Sequence, residues 1–214
     1  MKIPDNKKYL IYIAVAKTAS SSLRRFFSSV FKTLGYKDLT GGKECLPATM
    51  ILLAPDQTLF VKNEFPALWE DSFKIGSVRN PYDRFVSAFL YHPFCKSKSP
   101  FEVLNNLPTP AILPQYIKWK EALPESSWPL YSAYNHLTAS QSAVLLPESR
   151  ETADFLIRFE SLNQDLSKLL DLLRIEHSPP LPHLNPTQEK KDPYSSYLSA
   201  SEINLINNKF SDDF

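Results

Sequence analysis

The feature that most constrains the fold is a stretch near the start of the sequence, from Tyr9 to Leu23, which reads YLIYIAVAKTASSSL. Its apolar part, Tyr9–Val15, is typical of a buried strand. A small, polar loop, Ala16–Ser22, follows at once and carries a lysine, Lys17. A strand, a tight loop and a helix in direct succession are how α/β proteins hold a phosphate group against a helix N-terminus. The stretch therefore predicts a phosphate-binding loop.

An amphipathic helix, Ser22–Leu34, is predicted immediately after this loop. Its apolar residues recur at the spacing of one helical face, namely Leu23, Phe26, Phe27, Val30, Phe31 and Leu34. Anions are attracted to the start of such a helix by its unpaired N–H groups and by the positive end of its dipole. The loop adds the charge of Lys17 and further hydroxyl donors, which belong to Thr18, Ser20, Ser21 and Ser22.

The composition is that of an ordinary globular protein. The 214 residues are 43% hydrophobic and 22% charged, which predicts one domain over 1–214. A net charge of +1 argues against nucleic acid or a membrane surface as a partner. No apolar run is long enough to span a membrane, and the N-terminus lacks the pattern of a signal peptide. With Cys45 and Cys95 as the two cysteines, we expect a soluble, cytoplasmic protein with reduced thiols.

The rest of the chain alternates between predicted strands and helices. The predicted strands are Thr58–Lys62, Phe73–Val78 and Asp154–Phe159, an apolar element of uncertain type lies at Ala48–Ala54, and helices are predicted over 81–91 and after Ser161 and Ser199. Such alternation predicts a three-layer α/β/α fold with a central parallel sheet. Ligands then bind at the carboxyl ends of the strands.

A segment rich in proline and aromatic residues, at about 93–150, interrupts this alternation. We expect a helical insertion that covers a site. Its predicted helical pieces are Pro100–Leu107, Leu113–Leu123 and Trp128–Leu137.

A second basic element follows the strand predicted at Phe73–Val78. Arg79 leaves the strand end, Asn80 and Pro81 are suited to begin a helix, and Ser87 lies about two turns into that helix. An arginine can grip a phosphate through two hydrogen bonds while a serine hydroxyl donates a third. Two separate anion sites at the ends of two parallel strands predict a ligand with two phosphate-bearing ends.

The first loop is not a Walker A loop. That motif needs a glycine directly before its lysine and another five residues earlier, and these positions are Ala16 and Ile11. The ordinary ATPase or GTPase interpretation therefore fails. A nucleotide-kinase-like phosphotransferase stays open as an alternative, although these missing glycines disfavour it.

Four stretches of the sequence resemble the sulfotransferases. AKTASSSL is similar to their 5′-phosphosulfate loop and SVRNPYDRFVSAF to their 3′-phosphate element, while LIRFESLNQDLSKLL and LPHLNPT resemble the carbohydrate-type branch called family 2. The resemblance extends from about Tyr9 to Phe214 and is weakest over 93–150. It implies a P-loop-kinase-like fold, 3′-phosphoadenosine 5′-phosphosulfate (PAPS) as donor, the bisphosphate PAP as product, and no metal.

The resemblance also implies roles for individual residues. Lys17 contacts the 5′-phosphosulfate and the oxygen that bridges to the leaving group. The donors around the 5′-phosphate are Thr18, Ala19, Ser20, Ser21 and Ser22. Arg79 and Ser87 hold the 3′-phosphate. The chain departs from the usual pattern at Ala19, where many members carry glycine, and at Ala16, where proline is usual.

The acceptor needs a general base, which relatives supply as a glutamate or a histidine, often between the two cofactor motifs. We consider Glu64 and His136 about equally suited, with Glu44 close behind. His183 and Asn185 match a family segment and are expected to shape the cleft, whereas His92 is interpreted as a helix-end residue.

These observations predict a PAPS-dependent sulfotransferase. Its acceptor is expected to be a hydroxyl or an amine on a carbohydrate or a small metabolite, because the resemblance is to the carbohydrate branch. Two alternatives stay open: the kinase-like phosphotransferase, and a PAPS- or PAP-binding protein without catalysis.

Overall fold

The protein was analysed as a computed structural model that describes residues 3–4, 7–33, 50–53, 55–106, 136–137, 139–145, 153–184 and 192–214. Its sheet has four parallel strands in the order β2-β1-β3-β4. The strands are β1 (Tyr9–Ile13), β2 (Met50–Leu53), β3 (Ser72–Val78) and β4 (Phe155–Arg158).

Eight α-helices are described in these ranges. They are α1 (Ser20–Thr33), α2 (Pro55–Glu64), α3 (Pro66–Glu70), α4 (Pro81–Tyr91), α5 (Pro100–Asn106), α6 (Gln141–Leu145), α7 (Leu162–Leu172) and α8 (Ala200–Lys209). Strand β1 is followed directly by α1 and β3 by α4, as the sequence predicts.

Strand β1 is apolar throughout because both faces of the sheet are covered. Leu10 and Tyr12 pack on one face against α1 and α7. Ile11 and Ile13 pack on the other face against α2, α3 and α6. Since successive side chains of a strand point to opposite faces, a strand between two helical layers has no polar side. The predicted three-layer α/β/α fold with a parallel sheet is confirmed.

The strand predicted at Thr58–Lys62 is wrong, because these residues lie within α2. Pro55 occupies the first helical position, which suits a residue without an N–H. Thr58 and Val61 are buried on one face, whereas Phe60 is 58% exposed. Burial at positions i and i+3 is typical of a helix. An apolar run this short does not distinguish that spacing from the alternation of a strand. The uncertain element at Ala48–Ala54 contains β2.

A separate apolar cluster joins α4, α5 and α8. Helix α5 confirms the helical piece predicted at Pro100–Leu107. The piece at Leu113–Leu123 and most of Trp128–Leu137 lie outside the described residues. At the start of α8, Ser199 and Glu202 form the predicted capping box.

None of the described helices is long and apolar enough to cross a membrane. The assignment of 1–214 to one domain, the insertion at about 93–150 and the cytoplasmic location stay predictions from the sequence.

Candidate functional site

A cavity of about 720 Å³ opens at the carboxyl ends of the strands. The loop after β1 lines it with Lys17 and with the serines that begin α1, while Arg79 and Ser87 line it from the end of β3 and from α4. The structure therefore brings the two predicted anion-binding elements together in one cavity. His136 and His183 line the same space.

The loop between β1 and α1 turns sharply enough to require two left-handed residues. Lys17 has a φ of 67° and Ala19 a φ of 63°. A residue with a Cβ is strained in this conformation, which glycine adopts freely. This explains physically why glycine suits position 19, and it means that Ala19 holds its conformation at a cost.

The hydroxyl of Thr18 points beneath the loop, so its predicted role as a donor rests on its backbone N–H. The side chain is fully buried, and its Oγ1 lies 2.8 Å from the carbonyl oxygen of Val15 and 2.6 Å from Oγ of Ser77. Oγ of Ser77 in turn lies 2.8 Å from the hydroxyl of Tyr12. The loop is thereby tied to the core between β1 and β3.

The directions of these hydrogen bonds follow from the number of protons that each group can donate. A carbonyl oxygen only accepts, so Thr18 must donate its one hydroxyl proton to Val15. Ser77 must then donate to Thr18, and Tyr12 must donate to Ser77. Burial raises the pKa of Tyr12, which keeps its phenol protonated for this purpose. The hydroxyl of Thr18 therefore has no proton left to offer a ligand.

Lys17 is the first cation of the cavity, and it contacts an aromatic ring. Its Nζ lies 3.7 Å from the ring centroid of Tyr91, over the aromatic face. Burial and the nearby charge of Arg79 lower the pKa of Lys17 to about 8. Among the described residues, no carboxylate forms an ion pair with it. An anion in the cavity would give the positive charge of Lys17 a negative partner.

Arg79 is the second cation of the cavity. The charges of Asp83 and Glu160 act on it, but no described carboxylate lies within ion-pair distance. Its side chain is 9% exposed, and its guanidinium carbon lies 3.9 Å from the ring centroid of Phe159. One terminal nitrogen donates to the carbonyl oxygen of Lys17 at 3.3 Å. The buried Nε makes no hydrogen bond with any described residue, and burial lowers the pKa of this arginine. An unpaired buried donor indicates a missing acceptor.

Helix α4 begins as the sequence predicts. The side-chain oxygen of Asn80 accepts hydrogen bonds from the backbone N–H groups of Tyr82 and Asp83, and Pro81 occupies the first helical position. Ser87 lies farther along this helix and is buried, with 2% exposure. The cap thus sets the direction in which α4 carries Ser87 toward the cavity.

The segment after β4 holds Arg79 from the opposite side. Arg158 forms a two-bond ion pair with Asp165, at 2.9 Å for both contacts, and Ser161 donates to the same carboxylate at 2.8 Å. This arrangement fixes the turn that carries Phe159, which stacks on Arg79. Ser161 precedes α7 as predicted, but its hydroxyl serves Asp165 and makes no side-chain cap hydrogen bond.

His136 does not stand alone in the cavity wall. Its Nδ1 lies 2.8 Å from Nε2 of His92, and the ring centroids are 4.8 Å apart. His92 is 5% exposed and lies behind His136. Burial is the largest cause that lowers both pKa values, to about 3 for His136 and about 4 for His92, and the charge of Lys17 lowers both further. Both rings are therefore neutral at pH 7.

The structure describes two of the three candidates for the general base. Glu64 lies at the exposed end of α2 and does not line the cavity, whereas His136 does. Glu44 lies outside the described residues, as does Asn185. Sequence reasoning missed Tyr91, which lines the cavity one turn after Ser87. The signal was its spacing of four residues from Ser87, which places both side chains on one helical face.

The geometry suits a ligand with two anionic ends. Lys17 and the serines that begin α1 lie in one part of the lining, and Arg79 and Ser87 come from the next strand end and its helix. Ser20, Ser21 and Ser22 also line the cavity. Oγ of Ser22 accepts a hydrogen bond from the N–H of Leu184 at 3.0 Å, and this bond does not use its hydroxyl proton. A neutral imidazole, which can accept a proton, stands in the same wall.

One of three comparisons with known proteins found a match. A family model described as "Sulfotransferase family" matches residues 3–214, which is almost the whole chain. Neither the search of curated proteins nor the search of solved structures found a significant match. The family model confirms the resemblance to sulfotransferase family 2 that the sequence motifs carry. The chain therefore belongs to the sulfotransferase family.

Proposed function

We propose that this protein transfers a sulfuryl group from PAPS to a hydroxyl or an amine of a carbohydrate or small metabolite. One observation carries the proposal: Lys17 and Arg79 line one cavity and form no ion pair with any described carboxylate. Buried charges normally have a partner. A donor with phosphate groups at both ends would supply one for each cation.

Each end of the donor has a matching set of residues. Lys17, the N–H groups at the start of α1 and the hydroxyls of Ser20, Ser21 and Ser22 would surround the 5′-phosphosulfate. Arg79 and Ser87 would hold the 3′-phosphate. The unpaired Nε of Arg79 supports this assignment, because a phosphate oxygen is the acceptor it lacks.

Lys17 has the main electrostatic role in the proposed reaction. PAPS, when bound, supplies a sulfuryl group, whose sulfur bonds to the acceptor oxygen or nitrogen as its bond to the phosphate oxygen breaks. Negative charge then develops on that phosphate oxygen. Lys17 and the N-terminus of α1 are fixed before the reaction in a partly buried site, where such donors stabilise developing charge most effectively.

His136 is our candidate for the general base. It lines the cavity that contains Lys17, and its Nε2 makes no hydrogen bond with any described residue. A neutral ring nitrogen can take the proton that the acceptor loses. Glu64 has less support, since it lies at an exposed helix end outside this cavity.

The donor claim is tested by binding and by transfer. PAP should raise the melting temperature of the wild type, and Arg79→Ala should abolish the shift, because the 3′-phosphate loses its bidentate partner. Arg25→Ala is the matched control, since Arg25 is exposed on α1. Absence of a shift with the wild type would overturn the donor assignment.

The acceptor class is tested with radiolabelled PAPS and a panel of acceptors: unsulfated oligosaccharides, monosaccharides, amino sugars and phenols. Label transferred to a saccharide supports the carbohydrate assignment. Binding of PAP with no transfer to any acceptor would instead support a non-catalytic protein. Magnesium-dependent turnover of ATP would support the kinase-like alternative.

A further inference from the structure

The ring of His92 lies directly behind the ring of His136. Nε2 of His92 and Nδ1 of His136 are 2.8 Å apart, which is hydrogen-bond distance. His136 lines the cavity, but His92 does not. His92 thus contacts the candidate base without contacting the space that a substrate would fill.

A hydrogen bond between two neutral imidazoles contains one proton, so one ring donates and the other accepts. If His136 donates through Nδ1, its Nε2 carries a lone pair and can act as a base. If His92 donates, Nε2 of His136 already holds a proton and cannot accept one. The direction of this hydrogen bond therefore decides whether Nε2 of His136 can act as a general base.

The surrounding charges favour the first arrangement. Lys17 and Arg79 give the cavity a positive wall, and Arg84 donates to the backbone carbonyl oxygen of His136 at 3.2 Å. A lone pair facing cations is favoured electrostatically over an N–H dipole facing them. No described carboxylate is hydrogen-bonded to either imidazole.

We propose that His92 is a positioning residue that fixes His136 in the tautomer of a general base. This proposal rests on the proposed function. The acceptor O–H or N–H bond breaks and its proton forms a new bond to Nε2 of His136. The resulting imidazolium donates Nδ1–H to Nε2 of His92, which shares the positive charge, and the proton on Nε2 is released to solvent after transfer.

A neutral imidazole suits this position better than a carboxylate. A carboxylate would also accept the Nδ1 proton, as in many histidine-based sites. Its negative charge would however weaken the positive potential of Lys17 and Arg79 that an anionic donor requires. His92 orients the base and leaves that potential intact.

The test is the nitrogen-15 imidazole spectrum, which distinguishes the two tautomers directly. The chain has four histidines, so each ring can be assigned by single substitution. We expect His136 of the wild type to carry its proton on Nδ1. His92→Phe should move that proton to Nε2 in part or in full. His92→Gln should retain the wild-type tautomer, because its amide oxygen can accept the Nδ1 proton.

Kinetics provide the second measurement. His92→Phe should lower kcat on the order of 10-fold to 100-fold, with the Kd for PAP unchanged, and His92→Gln should restore most of the rate. His177→Phe is the matched control because His177 is exposed and does not line the cavity. If His92→Phe does not fold, the wild-type spectrum and His92→Gln still decide the outcome.

Two results would overturn the proposal: a proton on Nε2 of His136 in the wild type, or a His92→Phe variant with the wild-type tautomer and kcat. Failure of the proposed function is distinguishable from both. In that case the wild type would neither bind PAP nor transfer sulfate, whatever tautomer the spectrum reports.

Discussion

Gln141 and the backbone of Arg79 exchange two hydrogen bonds. The N–H of Arg79 donates to Oε1 of Gln141, and Nε2 of Gln141 donates to the carbonyl oxygen of Arg79, both at 2.8 Å. Asp213 fixes this glutamine in turn, since its carboxylate accepts from the N–H groups of Gln141 and Ser142 at 3.0 and 2.9 Å. A residue at the end of the chain thus supports the arginine of the predicted 3′-phosphate site.

Gln141→Ala should weaken both folding and ligand binding. It leaves a buried N–H and a buried carbonyl without partners, which should lower the free energy of unfolding by about 2 kcal/mol. Release of the strand end should also raise the Kd for PAP. Chemical denaturation and calorimetry measure the two effects, with Gln164→Ala on the exposed face of α7 as control. Equal effects of both substitutions would contradict the role of Gln141.

Much of this architecture could be predicted from the sequence because its signals are local. The apolar run of β1, the cap at Asn80 and the capping box at Ser199 each depend on neighbours within a few residues. The parallel sheet then follows from the order of the elements, and it brings Lys17 and Arg79 to the same edge.

The remaining features depend on contacts that are remote in sequence. The pairing of Tyr12, Ser77 and Thr18 spans 65 residues, and that of His92 with His136 spans 44. No spacing rule connects such positions. The strand predicted at Thr58–Lys62 was wrong for another reason. Its short apolar pattern fits the period of a strand and that of a helix, and these residues pack against the core as a helix.

Thr18 and Ser20 should respond differently to loss of the hydroxyl. Thr18→Val leaves the buried carbonyl of Val15 and the hydroxyl of Ser77 short of a partner, so we expect a loss of about 1–3 kcal/mol in the free energy of unfolding. Ser20→Ala should change stability little and raise the Kd for PAP, because Ser20 lines the cavity. Denaturation and titration of both variants provide the check. Stability losses of the same size would contradict the different directions assigned to the two side chains.

Ala19→Gly should stabilise the protein. At a φ of 63°, alanine is strained by about 1–2 kcal/mol, and glycine relieves this strain. The greater entropy of glycine in the unfolded chain offsets about 0.4–1 kcal/mol, which leaves a net gain of about 0.5 kcal/mol. Ala67→Gly is the control with the opposite sign, because Ala67 is exposed within α3. A lower melting temperature for Ala19→Gly would refute the strained conformation.

The histidine pair should make the fold sensitive to mild acid. Both pKa values are lowered in the folded state, to about 4 and about 3, from about 6.5 in an unfolded chain. The unfolded chain therefore binds more protons as the pH falls from 7 to 5, and the free energy of unfolding decreases. Among the described residues, the charges of Lys17 and Arg84 act on the pair. Denaturation of His92→Phe across this range should give a shallower dependence, with His177→Phe as control; identical slopes would contradict the lowered pKa of His92.

Lys17→Ala should lower the transfer rate on the order of 10²-fold or more, because the fixed charge beside the leaving oxygen is removed. The rate should be measured at saturating concentrations of donor and acceptor, so that a change in binding affinity does not affect the measured rate. Near-normal turnover would contradict the role of Lys17.

Binding of PAP should be accompanied by proton uptake above pH 8, because Lys17 has a pKa lowered to about 8 in the free protein. At pH 8.5 much of the Lys17 population is neutral, while Arg79 stays charged. A bound phosphate favours the protonated lysine, so it raises this pKa and draws a proton from the buffer. Affinity should therefore fall as the pH rises through 8.

Calorimetry at pH 8.5 in two buffers of different ionisation enthalpy measures this uptake directly. The apparent binding enthalpy of the wild type should differ between the buffers in proportion to the protons bound. Lys17→Arg keeps the positive charge but has no titration in this range, so its binding enthalpy should be independent of the buffer. A wild-type enthalpy that is equally independent would show that Lys17 is already fully charged without a ligand.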